Sequence, residues 1–258
     1  MHVLKSWSRA SSLQLSLGAL AAAALVAAAV IHFRETPPLP GDGACASLVR
    51  RHPWEPRPEN RQANQTLPTE PVAFNVNPHW QGWRQKASRV TGNFTGTTDE
   101  VIQWAACKWG FDEHLVRALA FKESSWKQSA QGDYCADGTP RSFGIIQIRH
   151  GYCDGRLANG GHPWTLLSTA LNLDYGLAIL RACYEGDFYD GGPWLYGGQK
   201  IVGDLWGCVG FYYSGQWYDG GAKSYIAAVK PILAEKPWIS QWGWPGEESE
   251  ALAASDPD

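Results

Sequence analysis

The stretch Leu115-Val116-Arg117-Ala118-Leu119-Ala120-Phe121-Lys122-Glu123-Ser124-Ser125-Trp126 decides how the chain is read. Asp112 stands before it as a helix cap. Leu115, Ala118, Leu119 and the stem of Lys122 recur at the three-to-four spacing of one helical face. The neighbouring segments carry the same period. Thr98 or Asp99 can cap a helix containing Val101, Trp104, Ala105 and Lys108, which Gly110 ends. Thr165 or Ser168 opens another, with Ala170, Leu173, Leu177, Leu180 and Tyr184 on one face. Asp204 can cap a fourth, containing Leu205, Cys208 and Phe211, and a fifth runs from about Ala222 and is interrupted at Pro231. Gly191-Gly192 and Gly197-Gly198 mark loops, and no series of alternating strands is visible. The expected fold class is mainly α.

Composition sets the limits around this helical body. The chain has 258 residues, 44% of them hydrophobic and 18% charged, enough for one sizeable core with appendages. A net charge of −3 argues against nucleic acid as a partner. The 14 Trp, 10 Tyr and 8 Phe fit a core of large rings. They also fit a cleft in which flat rings stack on the C–H faces of sugars.

At the N-terminus, Lys5 and Arg9 precede an apolar run from Leu13 to Phe33. The run reads as a signal peptide, with Ala27 and Ala29 at a cleavage site, or as an uncleaved anchor. Both place everything after Arg34 outside the membrane. Prolines 37, 38, 40, 53, 56, 58, 68 and 71 suggest an extended tether. The acidic stretch from Glu247 to Asp258 suggests a disordered tail. The expected organisation is therefore a signal or anchor over 1–33, a linker over 34–75, the folded domain over 76–246 and a tail over 247–258.

Cys45, Cys107, Cys135, Cys153, Cys183 and Cys208 all lie beyond the apolar run, and an even count in an exported chain suggests disulfides. Sequence leaves their connectivity open; the pairing carried forward is Cys135–Cys153, Cys183–Cys208 and, by elimination, Cys45–Cys107. A zinc site using His150, Cys153 and His162 is the competing reading, weakened by the lack of any Cys-x-x-Cys pair. Asn64-Gln65-Thr66 and Asn93-Phe94-Thr95 match glycosylation sequons, a pattern common by chance.

Glu123 is the candidate catalytic acid. It ends an apolar helix with Trp126 close behind, a setting that penalises the charged carboxylate and keeps the proton on near neutral pH. The motif around it resembles the first motif of the soluble lytic transglycosylases, related to goose-type lysozymes, in which Glu-Ser-x-Trp or Glu-Ser-x-Phe holds the acid. Ser142-Phe143-Gly144-Ile145-Ile146-Gln147-Ile148 is similar to the family's Ser-x-Gly-x-x-Gln-Ile. Tyr212-Tyr213-Ser214-Gly215 is similar to its Tyr-Asn-Ala-Gly, and Tyr225-Ile226 with Val229 to its closing helix. The order of the four agrees, and the resemblance covers residues 98–232.

The resemblance implies a lysozyme-like helical domain with a glycan-binding cleft, in an exported bacterial protein of the periplasm, cell wall or extracellular space. It implies cleavage of the β-1,4 bond between N-acetylmuramic acid and N-acetylglucosamine in peptidoglycan strands, leaving 1,6-anhydro ends. Glu123 would be acid and then base, and Gly144 would keep backbone close to the sugar. Gln147 and Tyr212 would line the cleft, with Ser142 and Tyr225 in support. A monomer is expected, in contact with the membrane only through an uncleaved 13–33 segment, and no metal or organic cofactor is implied.

Two features depart from the family pattern. Tyr213 stands where Asn is usual, and the segment between Glu123 and Ser142 is longer and carries Cys135. Asp133, Asp137 and Asp154 are the nearest candidates for a second acid, but Asp137 and Asp154 precede glycines as turn residues do. A second carboxylate beside Glu123 would favour a hydrolytic muramidase of the same fold. A glycan-binding protein without activity is the reading from another class, and the presence of Glu123 weighs against it.

Overall fold

The computed structural model describes residues 38–74, 81–187 and 202–246. Helices dominate, and the longer ones open on side-chain caps. They are α1 (Asp42–Leu48), α2 (Arg61–Asn64), α3 (Gln81–Ala87), α4 (Thr98–Trp109) and α5 (Glu113–Ser124), followed by α6 (Trp164–Leu167), α7 (Thr169–Glu185), α8 (Leu205–Ser214), α9 (Gly220–Glu235) and α10 (Pro237–Trp242). The cap of α4 is Thr97, in a reciprocal box with Glu100, one residue before the expected Thr98 or Asp99. Asp112 caps α5, Ser168 caps α7 and Asp204 caps α8, as the sequence suggests. Helix α9 begins at Gly220 on an Asp219 cap and runs through Pro231 to Glu235, so the expected interruption is absent. Proline deprives the helix of one N–H there, and the following turns continue.

The core is apolar and rich in rings. Trp104, Trp109, Trp126 and Trp238 are all fully buried. Helix α4 packs along α7, α5 against α4 and α9, and α8 against α7 and α9. A buried polar knot ties α4 to α7. Asp174, fully buried, accepts from Lys108 Nζ at 2.7 Å, Trp109 Nε1 at 2.7 Å and the backbone N–H groups of Thr91 and Gly92. Its charge is thereby paired and its lone pairs are used, as burial demands.

The cysteines pair as Cys45–Cys107, Cys135–Cys153 and Cys183–Cys208. The zinc alternative loses its thiolate, because Cys153 is in a disulfide. Among the described residues no helix is long and apolar enough to cross a membrane. The apolar 13–33 segment, the two Gly-Gly loops and the acidic tail lie outside the described residues.

The expected tether over 34–75 needs correction. The compact unit begins at Leu39, not at residue 76. Cys45, Asn60 and Asn64 are buried, and α1 packs on α4. Prolines did not prevent this, because Pro58 sits in the first turn of a short 3₁₀ helix (Pro58–Asn60), where no N–H is missed. Asn64 is 1% exposed and its amide donates to Glu55 and Thr98, so the first sequon is no open glycosylation site.

A small antiparallel sheet follows α5, with strands β1 (Gln131–Gly132), β2 (Ser142–Phe143) and β3 (Ile148–Arg149) in that order. Gly132 faces Ser142, and Ser142 faces Arg149. Two-residue strands are too short to show alternation, which is why sequence hides them. The Cys135–Cys153 bridge ties the β1–β2 loop to the segment after β3.

Candidate functional site

Glu123 comes from the last turn of α5, and the chain is turned sharply just behind it. Ser125 and Trp126 both adopt left-handed backbone conformations, at φ of 51° and 65°. Such geometry in non-glycine residues persists only where surroundings enforce it. Here the enforcement is visible. Ser124 Oγ donates to the Ile145 carbonyl at 2.7 Å, and Trp126 Nε1 donates to the Arg117 carbonyl at 2.9 Å. Arg57 Nε donates to the Ser125 carbonyl at 2.7 Å, and Asn60 Nδ2 to the Trp126 carbonyl at 2.7 Å. The supposed tether thus fixes the turn that aims Glu123.

Glu123 opens into a cleft of about 630 Å³, a size suited to a small ligand or a stretch of polymer. Asp133, Ser142, Gln147, Tyr212 and Tyr213 line the same cleft, with Arg149 and Tyr152. Burial raises the Glu123 pKa to about 7. The hydroxyl of Tyr225, which donates to Oε1, and the charge of Lys122 pull it down, while the charge of Asp133 pushes it up. The group therefore exchanges its proton near neutral pH, which is what a general acid that later serves as base requires. Tyr212 and Tyr225 are held well above the ordinary phenol range, first by burial and then by the Glu123 charge, so both remain hydroxyl donors.

The expected site residues separate into two groups. Glu123, Ser142, Gln147 and Tyr212 line the cleft together. Gln147 is already engaged, its Nε2 donating to the carbonyls of Gly144 at 2.8 Å and Ala130 at 3.2 Å. Ser142 donates to Asp133, and Tyr212 donates to the Ile146 carbonyl at 2.6 Å. Tyr225 stands behind the acid, 3% exposed, as a positioning group and not as a cleft wall.

Gly144 must be reassigned. It is a turn glycine at φ 85°, and an added Cβ would lie 2.1 Å from Asn172 Nδ2 and 2.7 Å from the Thr165 carbonyl. Its bare side faces the interior beside α7, not a sugar in the cleft. Gly144 thus serves the folding of the second motif, while that motif's Ser142 and Gln147 line the cleft with Glu123.

Two groups escaped the sequence reading. Gln128 Oε1 accepts from Ile145 N, and Asn172 Oδ1 accepts from Ile146 N; between them they hold the backbone of the second motif. Buried amides of this kind have no local sequence pattern. Asp133 was among the sequence candidates for a second acid. It proves to face the cleft, paired with Arg149 at 2.8 Å. Burial raises its pKa, but the Ser142 hydrogen bond and Arg149 outweigh that and leave it below the usual range.

Tyr225→Phe tests the wiring. Its hydroxyl stabilises the ionised Glu123, so its removal should raise the carboxyl pKa above about 7. The group would hold its proton to higher pH. An NMR titration of the Glu123 side-chain carbon should show an upward shift, and a downward shift would contradict the hydrogen bond's role.

The site is that of a cleft acid tuned to neutral pH, built on a mainly α scaffold. Comparison of the chain with family models, with curated proteins and with solved structures gives no match.

Proposed function

We propose that the protein is a peptidoglycan lytic transglycosylase with a lysozyme-like helical domain and Glu123 as its single catalytic acid. The observation that carries this reading is a carboxyl group with a pKa near 7 in a cleft walled by tyrosines and polar side chains. The order of the four motifs adds support. In the reaction, Glu123 gives its proton to the glycosidic oxygen as that bond to C1 breaks. The substrate's acetamido oxygen stabilises the positive charge at C1. The resulting Glu123 carboxylate then takes the proton of the sugar's 6-hydroxyl as that oxygen bonds to C1, giving a 1,6-anhydro end and restoring the acid. Tyr225 orients the carboxyl through both steps. The disulfides are compatible with export, so the reaction belongs outside the cytoplasmic membrane, with the domain released or anchored by residues 13–33.

Asp133 favours a second reading, hydrolysis. Its carboxylate lies in the same cleft, and a second acid can orient water against C1. Its ion pair with Arg149 and its lowered pKa make it a weak base, which is why transglycosylation is preferred. Mass spectrometry of digested peptidoglycan separates the two, since anhydro ends are lighter than reducing ends by one water. Anhydro ends are expected. Reducing ends would establish hydrolysis, and an undigested sample would refute both.

A further inference from the structure

Tyr213 departs from the family motif, and its placement gives it a use. It is 58% exposed and lines the cleft that holds Glu123. Its ring lies on Tyr225, with centroids 4.7 Å apart and planes 7° from parallel. One face of Tyr213 is therefore committed to the protein, and the exposure belongs to the rest of the ring. The preceding residue, Tyr212, is pinned to the Ile146 carbonyl by its hydroxyl, which anchors the helix turn that carries the ring. Tyr225, the supporting ring, is bonded to Glu123 itself.

A flat ring fixed beside the acid, with an open face, suits one kind of ligand. A β-linked pyranose presents a face of axial C–H groups, weakly positive against the negative face of an aromatic ring. A ring already stacked on Tyr225 has less side-chain freedom to lose on binding. We infer that Tyr213 is a stacking platform for an N-acetylated aminosugar ring next to the scissile bond, replacing by ring contact what a polar residue would do by hydrogen bonding. This rests on the glycan reading proposed above.

The test uses the full chain carrying Glu123→Gln, which is expected to hold glycan without cutting it, and a hexamer of β-1,4-linked N-acetylglucosamine as probe in calorimetry. Adding Tyr213→Ala should weaken binding by about tenfold, the scale of one aromatic contact. Tyr213→Phe and Tyr213→Trp should bind like the parent. Unchanged affinity in Tyr213→Ala overturns the platform. So does equal loss in Tyr213→Phe, which would assign the contact to the hydroxyl. In the otherwise native chain, Tyr213→Ala should raise KM without moving the pH midpoint of activity. A moved midpoint with unchanged affinity would show the ring acting on Glu123 through Tyr225, again overturning the inference. If the Glu123→Gln parent fails to bind the hexamer at all, the glycan reading itself falls, a result distinct from every Tyr213 outcome.

Discussion

Glu123→Gln is expected to lower peptidoglycan cleavage by about 10²–10⁴-fold, the usual contribution of a general acid–base group. The amide has nearly the same shape but cannot deliver a proton, so glycan binding should survive. The same substitution has an effect on stability with a definite sign. Glu123 titrates near 7 in the folded chain against an ordinary value of 4.5. The folded state therefore binds the proton more tightly than the unfolded state. The resulting stabilisation is complete below about 4.5 and is lost as pH rises through 7. Above that pH the native chain carries a partly buried carboxylate that the variant lacks. Glu123→Gln should then be the more stable protein at pH 8, by roughly 1–3 kcal/mol after allowing for water in the cleft. At pH 4 the difference should vanish. Denaturant unfolding at the two pH values, run beside an activity assay, checks both parts. A folded variant cutting at the native rate would remove Glu123 from the chemistry.

Gly144→Ala should be the more damaging change to the fold. The methyl group would meet the Asn172 amide at 2.1 Å and the Thr165 carbonyl at 2.7 Å, on a backbone already at φ 85°. Neither neighbour can retreat cheaply. Asn172 Nδ2 donates to Phe143 and Thr165 carbonyls while its Oδ1 accepts from Ile146 N. Moving it would leave buried backbone groups unpaired, at about 1–3 kcal/mol each, in addition to the left-handed strain. A loss of at least about 3 kcal/mol in denaturant unfolding is expected. Any molecules that remain folded should still bind glycan, since the added carbon does not enter the cleft. A variant of native stability that fails to bind would return Gly144 to the cleft wall.

How much of this was legible follows from the physics of each part. Helices announced themselves because capping and a three-to-four apolar period are local, and α5, α7 and α8 start on residues that the sequence offered as caps. Glu123 was legible because the apolar run before it and Trp126 after it are adjacent in sequence. The role of Gly144 was misassigned, because one glycine in a turn reads the same whether its bare side faces a ligand or Asn172. The Pro-rich segment was misread for a related reason. Proline count describes what the chain cannot do alone, whereas burial of Asn60 depends on partners far away, Thr98, Trp126 and Gln128. Asp133 was a candidate second acid by nearness in sequence alone, with no local pattern to mark it out, and the sheet is what places it in the cleft.

The contacts of Arg57 and Asn60 with the turn behind Glu123 bear on how such a domain can be inherited. The stretch that carries all four motifs is not a portable cassette. Recombination that grafted it onto a new leader would leave Ser125 and Trp126 without their clamp and Cys107 without Cys45. Lineages of this protein are therefore expected to exchange their termini only ahead of Leu39, while the Pro-rich segment and the helix that carries Glu123 travel together as one heritable unit.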